Sequence, residues 1–141
     1  MIVIDASLAV KWFVDEAGSQ AAIAMLAQHV SAISVPDLFG IEVAAALVRK
    51  ANMHKENAPA LRASVDDLAS LFVVGTMTVV STSPKQLAAA ANLAIDLGHP
   101  LKDCLYLALA IELECPLVTA DARFAAKARG VYKDVQVLAE E

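Results

Sequence analysis

Pro100-Leu-Lys-Asp-Cys-Leu-Tyr-Leu-Ala-Leu-Ala-Ile-Glu-Leu-Glu-Cys-Pro-Leu-Val-Thr-Ala-Asp-Ala-Arg-Phe124 is the stretch that decides the fold of this chain. Asp103 falls in the first turn of a Leu- and Ala-rich run that reaches Ile111, which predicts a helix. Pro116 breaks that pattern. Leu117, Val118 and Thr119 follow as a short buried strand, bounded by Ala120-Asp121. One carboxylate therefore opens a helix and another closes the strand after it. In an open parallel sheet both places lie at the carboxyl edge of the strands, where such sheets put their sites.

The rest of the chain repeats the alternation. Ile2-Val3-Ile4 reads as a buried strand ended by Asp5. Ser7 to Val14 is expected to be helical, and Ser19 to cap a helix reaching about Val30. Ala32 to Val35 is a second strand, closed by Pro36, and Asp37 is expected to cap a long helix to about Met53. His54 to Pro59 breaks the pattern, and an amphipathic helix resumes from Ala60 to Leu71. Thr76 to Val80 is a third strand. Ser83-Pro84 starts a helix to Leu97, and Gly98-His99-Pro100 turns into the central stretch. After Asp121 a short helix runs to about Arg129, with Gly130 as its C′ residue. Val135 to Leu138 is a final edge strand. Alternating strands and helices imply right-handed crossovers and a parallel sheet covered on both faces. The expected fold is one three-layer α/β/α domain over residues 1–141, with a central parallel sheet of four or five strands.

Bulk properties narrow the classes. The chain has 141 residues, suited to one domain with a sizeable core. The hydrophobic share is 58%, above the usual ~45–50% of soluble domains, and alanine supplies much of the excess. No apolar run reaches the ~18 residues of a membrane span, and the N-terminus lacks signal-peptide character, so a cytoplasmic protein is expected. Cys104 and Cys115 have neither zinc-site spacing nor a disulfide-rich context, which makes them reduced core thiols. A net charge of −5 argues against a broad basic surface for nucleic acid. It does not exclude a nucleic-acid enzyme whose acids hold metal ions.

Four acids stand out by position: Asp5, Glu42, Asp103 and Asp121. Asp5 and Asp121 each follow a strand, Asp103 opens a helix, and Glu42 lies about a turn inside the helix after the second strand. A doubly wound topology brings all four to one end of the sheet. Carboxylates gathered so closely need a counter-charge. Hard divalent cations such as Mg²⁺ or Mn²⁺ supply it and prefer carboxylate oxygen and water. Each acid also has a plainer reading. Asp5 and Asp121 serve equally as helix caps, Asp103 as a complement to a helix dipole, and Glu42 as a solvated partner of Arg49.

Four segments carry a resemblance. They are Ile2-Val3-Ile4-Asp5-Ala6-Ser7, Val35-Pro36-Asp37-Leu38 with Glu42, Asp103 to Ala110, and Leu117-Val118-Thr119-Ala120-Asp121-Ala122-Arg123-Phe124. In that order they resemble a PIN domain, specifically the VapC-type ribonuclease toxins of bacterial toxin–antitoxin pairs. The resemblance implies that Asp5, Glu42, Asp103 and Asp121 bind metal in an endoribonuclease acting on RNA. It also implies that Thr119 and Ser7 support the acids by hydrogen bonds. Some relatives carry a further acid past the last strand, where this chain has Ala122 and Arg123.

Lys11, Arg49, Lys102 and Arg123 lie near the acids in sequence, as RNA phosphate contacts or as solvated charges. Trp12 is placed in the core or at a partner interface, with base stacking as the alternative. His29, His54 and His99 show no ligand spacing. An aspartyl-phosphate phosphatase would need an acid two residues after Asp5, where Ser7 stands. The remaining alternative is a catalytically inactive PIN-fold domain that binds protein. Trp12, Phe13, Ile23, Met25, Leu26, Leu38, Phe39, Val43, Leu47 and Val48 are more apolar material than one sheet face obviously covers. They predict a homodimer, and a groove for an amphipathic segment of a small antitoxin. The resemblance implies the same, with a VapB-like antitoxin tail reaching the acids.

Overall fold

A computed structural model of the chain describes residues 1–139. Its centre is a five-stranded sheet in the order β3-β2-β1-β4-β5. The strands are β1 (Ile2–Ile4), β2 (Ile33–Pro36), β3 (Met77–Val80), β4 (Leu117–Thr119) and β5 (Val135–Val137), and every neighbouring pair runs parallel. β1, β2 and β4 are buried at every position. Their runs, apolar or β-branched but for the buried Ser34, suit strands covered on both faces, where no side chain points to water.

Helices α1 (Ala6–Ala9), α2 (Ser19–Gln28), α3 (Phe39–Met53), α4 (Ala58–Val73), α5 (Pro84–Leu97), α6 (Leu101–Leu113) and α7 (Ala122–Ala128) connect the strands. The chain steps from β1 to β2 to β3 in one direction, then crosses back to β4 and on to β5 in the other. Right-handed crossovers therefore put α1 to α4 on one face and α5 to α7 on the opposite face. In keeping with this, α3 packs on α4 and α5 on α6. The two directions of travel part between β1 and β4. That is the topological switch point of the three-layer α/β/α fold, and it opens a crevice at the carboxyl ends of these two strands.

Several local expectations are corrected by contacts made at a distance. The helix expected from Ser7 to Val14 is α at Ala6–Ala9 and tightens to a 3₁₀ turn at Val10–Trp12. Ser19 is the first residue of α2, not its cap. Its Oγ donates to the Val14 carbonyl and accepts from the Glu16 amide, while Gly18 at φ 85° takes the cap position. Asp37 does not cap α3, which Leu38 precedes. Its carboxylate instead accepts from the Thr82 amide and hydroxyl, tying the end of β2 to the segment after β3. Pro59 sits inside the first turn of α4, where its missing N–H costs nothing. Arg129 is the C-cap of α7, so Gly130 stands at C′ as expected, but without a left-handed φ.

Other features follow the sequence. Ser83 and Gln86 form a reciprocal capping box at the start of α5, with Pro84 next. Gly98 at φ 59° ends that helix in left-handed geometry, which only glycine adopts without strain. The chain can then enter α6 after Pro100 with Asp103 in the first turn.

The core gathers Tyr106, Phe39, Phe124, Ile4, Leu8 and Leu47 at full burial. Most of the apolar set expected at an interface lies here instead. Phe39, Val43 and Leu47 are buried, and Trp12, Phe13, Met25, Leu26 and Leu38 pack against the core; Ile23 and Val48 are exposed. Trp12 also donates its indole N–H to the Ala22 carbonyl. Cys104 and Cys115 are buried free thiols, and burial pushes both up from the ordinary thiol range. Among the described residues no helix is long and apolar enough to cross a membrane.

Candidate active site

Asp5 stands where β1 ends and α1 begins, so its position is set by the central strand. Its Oδ1 accepts from the Ser7 hydroxyl at 2.7 Å and the Leu8 amide at 3.2 Å, and its Oδ2 accepts from the Thr119 hydroxyl. The side chain is almost wholly enclosed. Burial is the main reason its carboxyl is raised from 3.8 to about 6, and the Asp103 charge adds to it. The hydrogen bonds from Thr119, Ser7 and Leu8 pull the other way. Asp5 is a cap, as its plainer reading has it, and is also buried beside another acid.

Thr119 closes β4 and connects two of the acids. Its hydroxyl proton goes to Asp5 and its oxygen accepts from the Asp121 amide at 3.0 Å. Ser7 Oγ lies 3.4 Å from Thr119 Oγ1 and accepts from the Ala120 amide at 3.3 Å. Asp121 is the N-cap of α7, with Oδ1 accepting from the Phe124 amide at 3.0 Å. That use engages one oxygen.

Asp103, half-buried in the first turn of α6, meets a residue to which the sequence assigned no chemistry. His99 Nε2 lies 2.6 Å from Asp103 Oδ2. The imidazole is 9% exposed and stacks on Phe124, with centroids 4.8 Å apart and planes 23° apart. One ligand-bearing atom from each of His99, Asp103 and Asp121 lies within 4.8 Å of the others. The signal available for His99 was its i,i+4 spacing to Asp103 across the start of a helix, which becomes legible only once α6 is known to begin at Leu101.

Glu42 comes from the first turn of α3. Its Oε1 accepts from the Tyr106 hydroxyl at 2.6 Å, and Lys102 Nζ stands 3.6 Å from its Oε2. Burial first, and Glu42 second, hold the Tyr106 hydroxyl far above the ordinary tyrosine range, so it stays a donor. Asp5 and Asp103 push it the same way.

A cleft of about 450 Å³ is lined by Ser7, Glu42, Asp103, Lys102 and Arg49, with an apolar side that includes Leu38 and Ala45. Of the basic candidates, Lys102 and Arg49 face this cleft. Lys11 is engaged by Glu16 and the Ala17 carbonyl, and Arg123 is exposed on the first turn of α7. A larger groove of about 590 Å³ lies between α3 and α4 and holds one acid, Asp66. Size alone does not mark the site; the gathered carboxylates do.

Hard oxygen donors, one of them deeply buried, with Lys102 the one ammonium against these carboxylates among the described residues, fit a hard divalent cation better than a cleft left to its own charges. Asp103 and Asp121, with His99, bring ligand atoms close enough to share such an ion, and Glu42 lines the cleft with Asp103.

The PIN domain family matches residues 2–130, nearly the whole chain. The chain belongs to that family. No curated protein matches this PIN domain. Solved structures do. PAE2754 from Pyrobaculum aerophilum has a TM-score of 0.71 at 20% identity, covering 97% of this chain and 88% of that one. VapC20 of Mycobacterium tuberculosis, a sarcin-ricin loop cleaving toxin, has a TM-score of 0.70 at 13% identity, covering 89% of this chain and 94% of that one. A toxin–antitoxin complex from Klebsiella pneumoniae has a TM-score of 0.66 at 16% identity, with complete coverage of both chains. At such identities these likenesses speak for the fold.

Proposed function

We propose that this PIN domain is a Mg²⁺- or Mn²⁺-dependent endoribonuclease and the toxin of a toxin–antitoxin pair. The observation that carries the reading is the grouping of Asp103 with Asp121, beside a cleft that Glu42 and Asp103 line, in a chain of the PIN family; we take Asp5, tied to Asp121 through Thr119, as the fourth acid. The toxin half rests on the fold shared with VapC20 and with the Klebsiella complex.

When bound among these carboxylates, a divalent cation supplies neutralisation of phosphate charge and an acidified water. The chain's own residues do the rest. Asp103 and Asp121 would hold the ion, and Asp5, kept in one rotamer by Ser7, Leu8 and Thr119, would serve as a further ligand or water-positioning group. Glu42, held by Tyr106, faces the cleft and orients the attacking water. Lys102 and Arg49 bind the phosphates on either side of the scissile bond. Water oxygen bonds to phosphorus in line as the P–O bond to the neighbouring ribose breaks; the water gives up a proton to solvent and the departing oxygen takes one up from solvent.

The whole of residues 1–141 acts as one domain in this reading. Its partners are RNA, a VapB-like antitoxin and a second copy in a homodimer. The test is cleavage of a mixed RNA pool with Mn²⁺, with EDTA, and with Asp103→Asn. Cutting is expected only for the metal-loaded wild type. Equal cutting in EDTA sinks the mechanism. No cutting under any condition, together with no Mn²⁺-induced rise in melting temperature, favours the non-catalytic protein-binding alternative. Co-expression with the protein encoded beside it, followed by sizing, tests the partner.

A further inference from the structure

His99 has both ring nitrogens engaged. Nε2 is 2.6 Å from Asp103 Oδ2, and Nδ1 is 3.5 Å from the ammonium of Lys127. Lysine offers donors only, so Nδ1 must accept. The ring proton then sits on Nε2, and Nε2–H donates to the Asp103 carboxylate. Lys127 is itself held in place, because Nζ also donates to the Gly98 carbonyl at 3.1 Å. The ring cannot turn freely, being stacked on Phe124, which is fully buried. Both imidazole nitrogens thus have partners within the protein. Among the described residues Asp103 Oδ1 has no hydrogen bond.

We propose that His99 is a positioning residue that holds Oδ2 of Asp103, so that Asp103 offers a divalent cation one oxygen, Oδ1. The inference rests on the metal reading above. It adds a chain of donors, Lys127 to His99 to Asp103, that decides how the carboxylate binds. Small octahedral ions such as Mn²⁺ and Mg²⁺ suit carboxylates that give one oxygen each, whereas Ca²⁺ is larger and readily takes both oxygens of one carboxylate. A clamped Oδ2 therefore selects for the smaller ions. A released Asp103 can swing both oxygens inward. Partners of this kind behind a ligand are typically worth about 10–100-fold in metal affinity.

The test is titration calorimetry of Mn²⁺ and of Ca²⁺ into the full chain, as wild type, His99→Ala and His99→Gln. His99→Ala should weaken Mn²⁺ by about 10–100-fold with Ca²⁺ unchanged or tighter, lowering the Mn²⁺/Ca²⁺ preference. His99→Gln, whose amide N–H reaches the place of Nε2–H, should recover most of the Mn²⁺ affinity. Nitrogen-15 NMR of the EDTA-treated protein should show the Nε2–H tautomer of His99, and electron spin-echo spectra of the Mn²⁺ form should show no directly bound imidazole nitrogen. Equal loss of both ions in His99→Ala, an unchanged preference, the Nδ1–H tautomer or a bound imidazole nitrogen each overturns the proposal. Wild-type protein that binds neither ion overturns the metal reading and this inference with it. Wild-type protein that binds Mn²⁺ and cuts RNA while His99→Ala keeps its preference overturns this inference alone.

Discussion

The Tyr106 hydroxyl donates to Glu42 Oε1 at 2.6 Å, joining a helix on one face of the sheet to a helix on the other across 64 positions of sequence. Tyr106 is fully buried and Glu42 opens onto the cleft, so the bond carries the order of the core out to the site.

Tyr106→Phe should therefore act on activity more than on the fold. Loss of a hydrogen bond to a charged partner costs about 1.5–3 kcal/mol when the partner stays unsatisfied, but Lys102 and water remain to Glu42. Stability should drop by about 1–2 kcal/mol, at and below the low end of that range. Ribonuclease activity should fall by about 10-fold or more, as expected for a displaced positioning group. Urea melts and initial cleavage rates check this. A variant as active as the wild type would remove Glu42 from the machinery.

Asp5 gives the metal-free protein a pH dependence of definite sign. Its carboxyl is raised from 3.8 to about 6 by burial. Between those values the folded chain binds more protons than the unfolded chain, so unfolding free energy falls as pH rises through the window. A shift of about two units corresponds to about 3 kcal/mol. EDTA-treated wild type should be less stable at pH 7 than at pH 4.5 on this account, and Asp5→Asn should flatten that part of the curve. Mn²⁺ should restore stability at pH 7 in the wild type. An identical pH profile for Asp5→Asn, read by denaturant melts, would refute it.

Asp37 carries the opposite sign. The Thr82 hydroxyl, and after it the Thr82 amide, hold its carboxyl below the ordinary range. Its contribution is present above the unfolded value near 3.8 and is lost as pH falls through the lower folded value. The group is exposed, so the effect is small, less than about 1 kcal/mol. Asp37→Ala should lower stability slightly at pH 7 and not at pH 2.5. Cleavage rates should not change, since Asp37 lies outside the cleft lining.

Thr119→Val removes a hydroxyl that serves two acids while keeping the shape of the side chain. Asp5 Oδ2 loses a donor and the Asp121 amide loses an acceptor, at a cost of about 2–4 kcal/mol for two buried groups. The same bond lowers the Asp5 carboxyl, so the stability loss described for Asp5 should move to higher pH. Melts of the metal-free variant from pH 4 to 8 test both statements.

What could be read from the chain divides along a physical line. β1, β4 and α6 declare themselves because burial on both faces leaves continuous apolar runs. Ser83-Pro84 declares a helix start because its partner is three residues away. Ser19 and Asp37 look like caps by the same logic, yet their oxygens are taken by Val14, Glu16 and Thr82, and no periodicity reports such partners. The four acids are visible as positions after strands or at helix starts. The contacts around them are not, because Thr119 and Asp5 are 114 positions apart. His99 shows no ligand spacing; its i,i+4 relation to Asp103 becomes legible only once α6 is known to begin at Leu101, and Phe124 and Lys127 then fold over the ring.

The pairing of β4 with β1 has a temporal side. β1 and Asp5 lie near the start of the chain, while Thr119 and Asp121 arrive after all the intervening helices. During synthesis, a growing polypeptide that has made β1, β2 and β3 still has one flank of β1 open and Asp5 without its threonine. The acid site is thus a late-assembling device: a nascent chain that stops short of β4 lacks both Thr119 and Asp121, and the grouping of Asp103 with Asp121 cannot form.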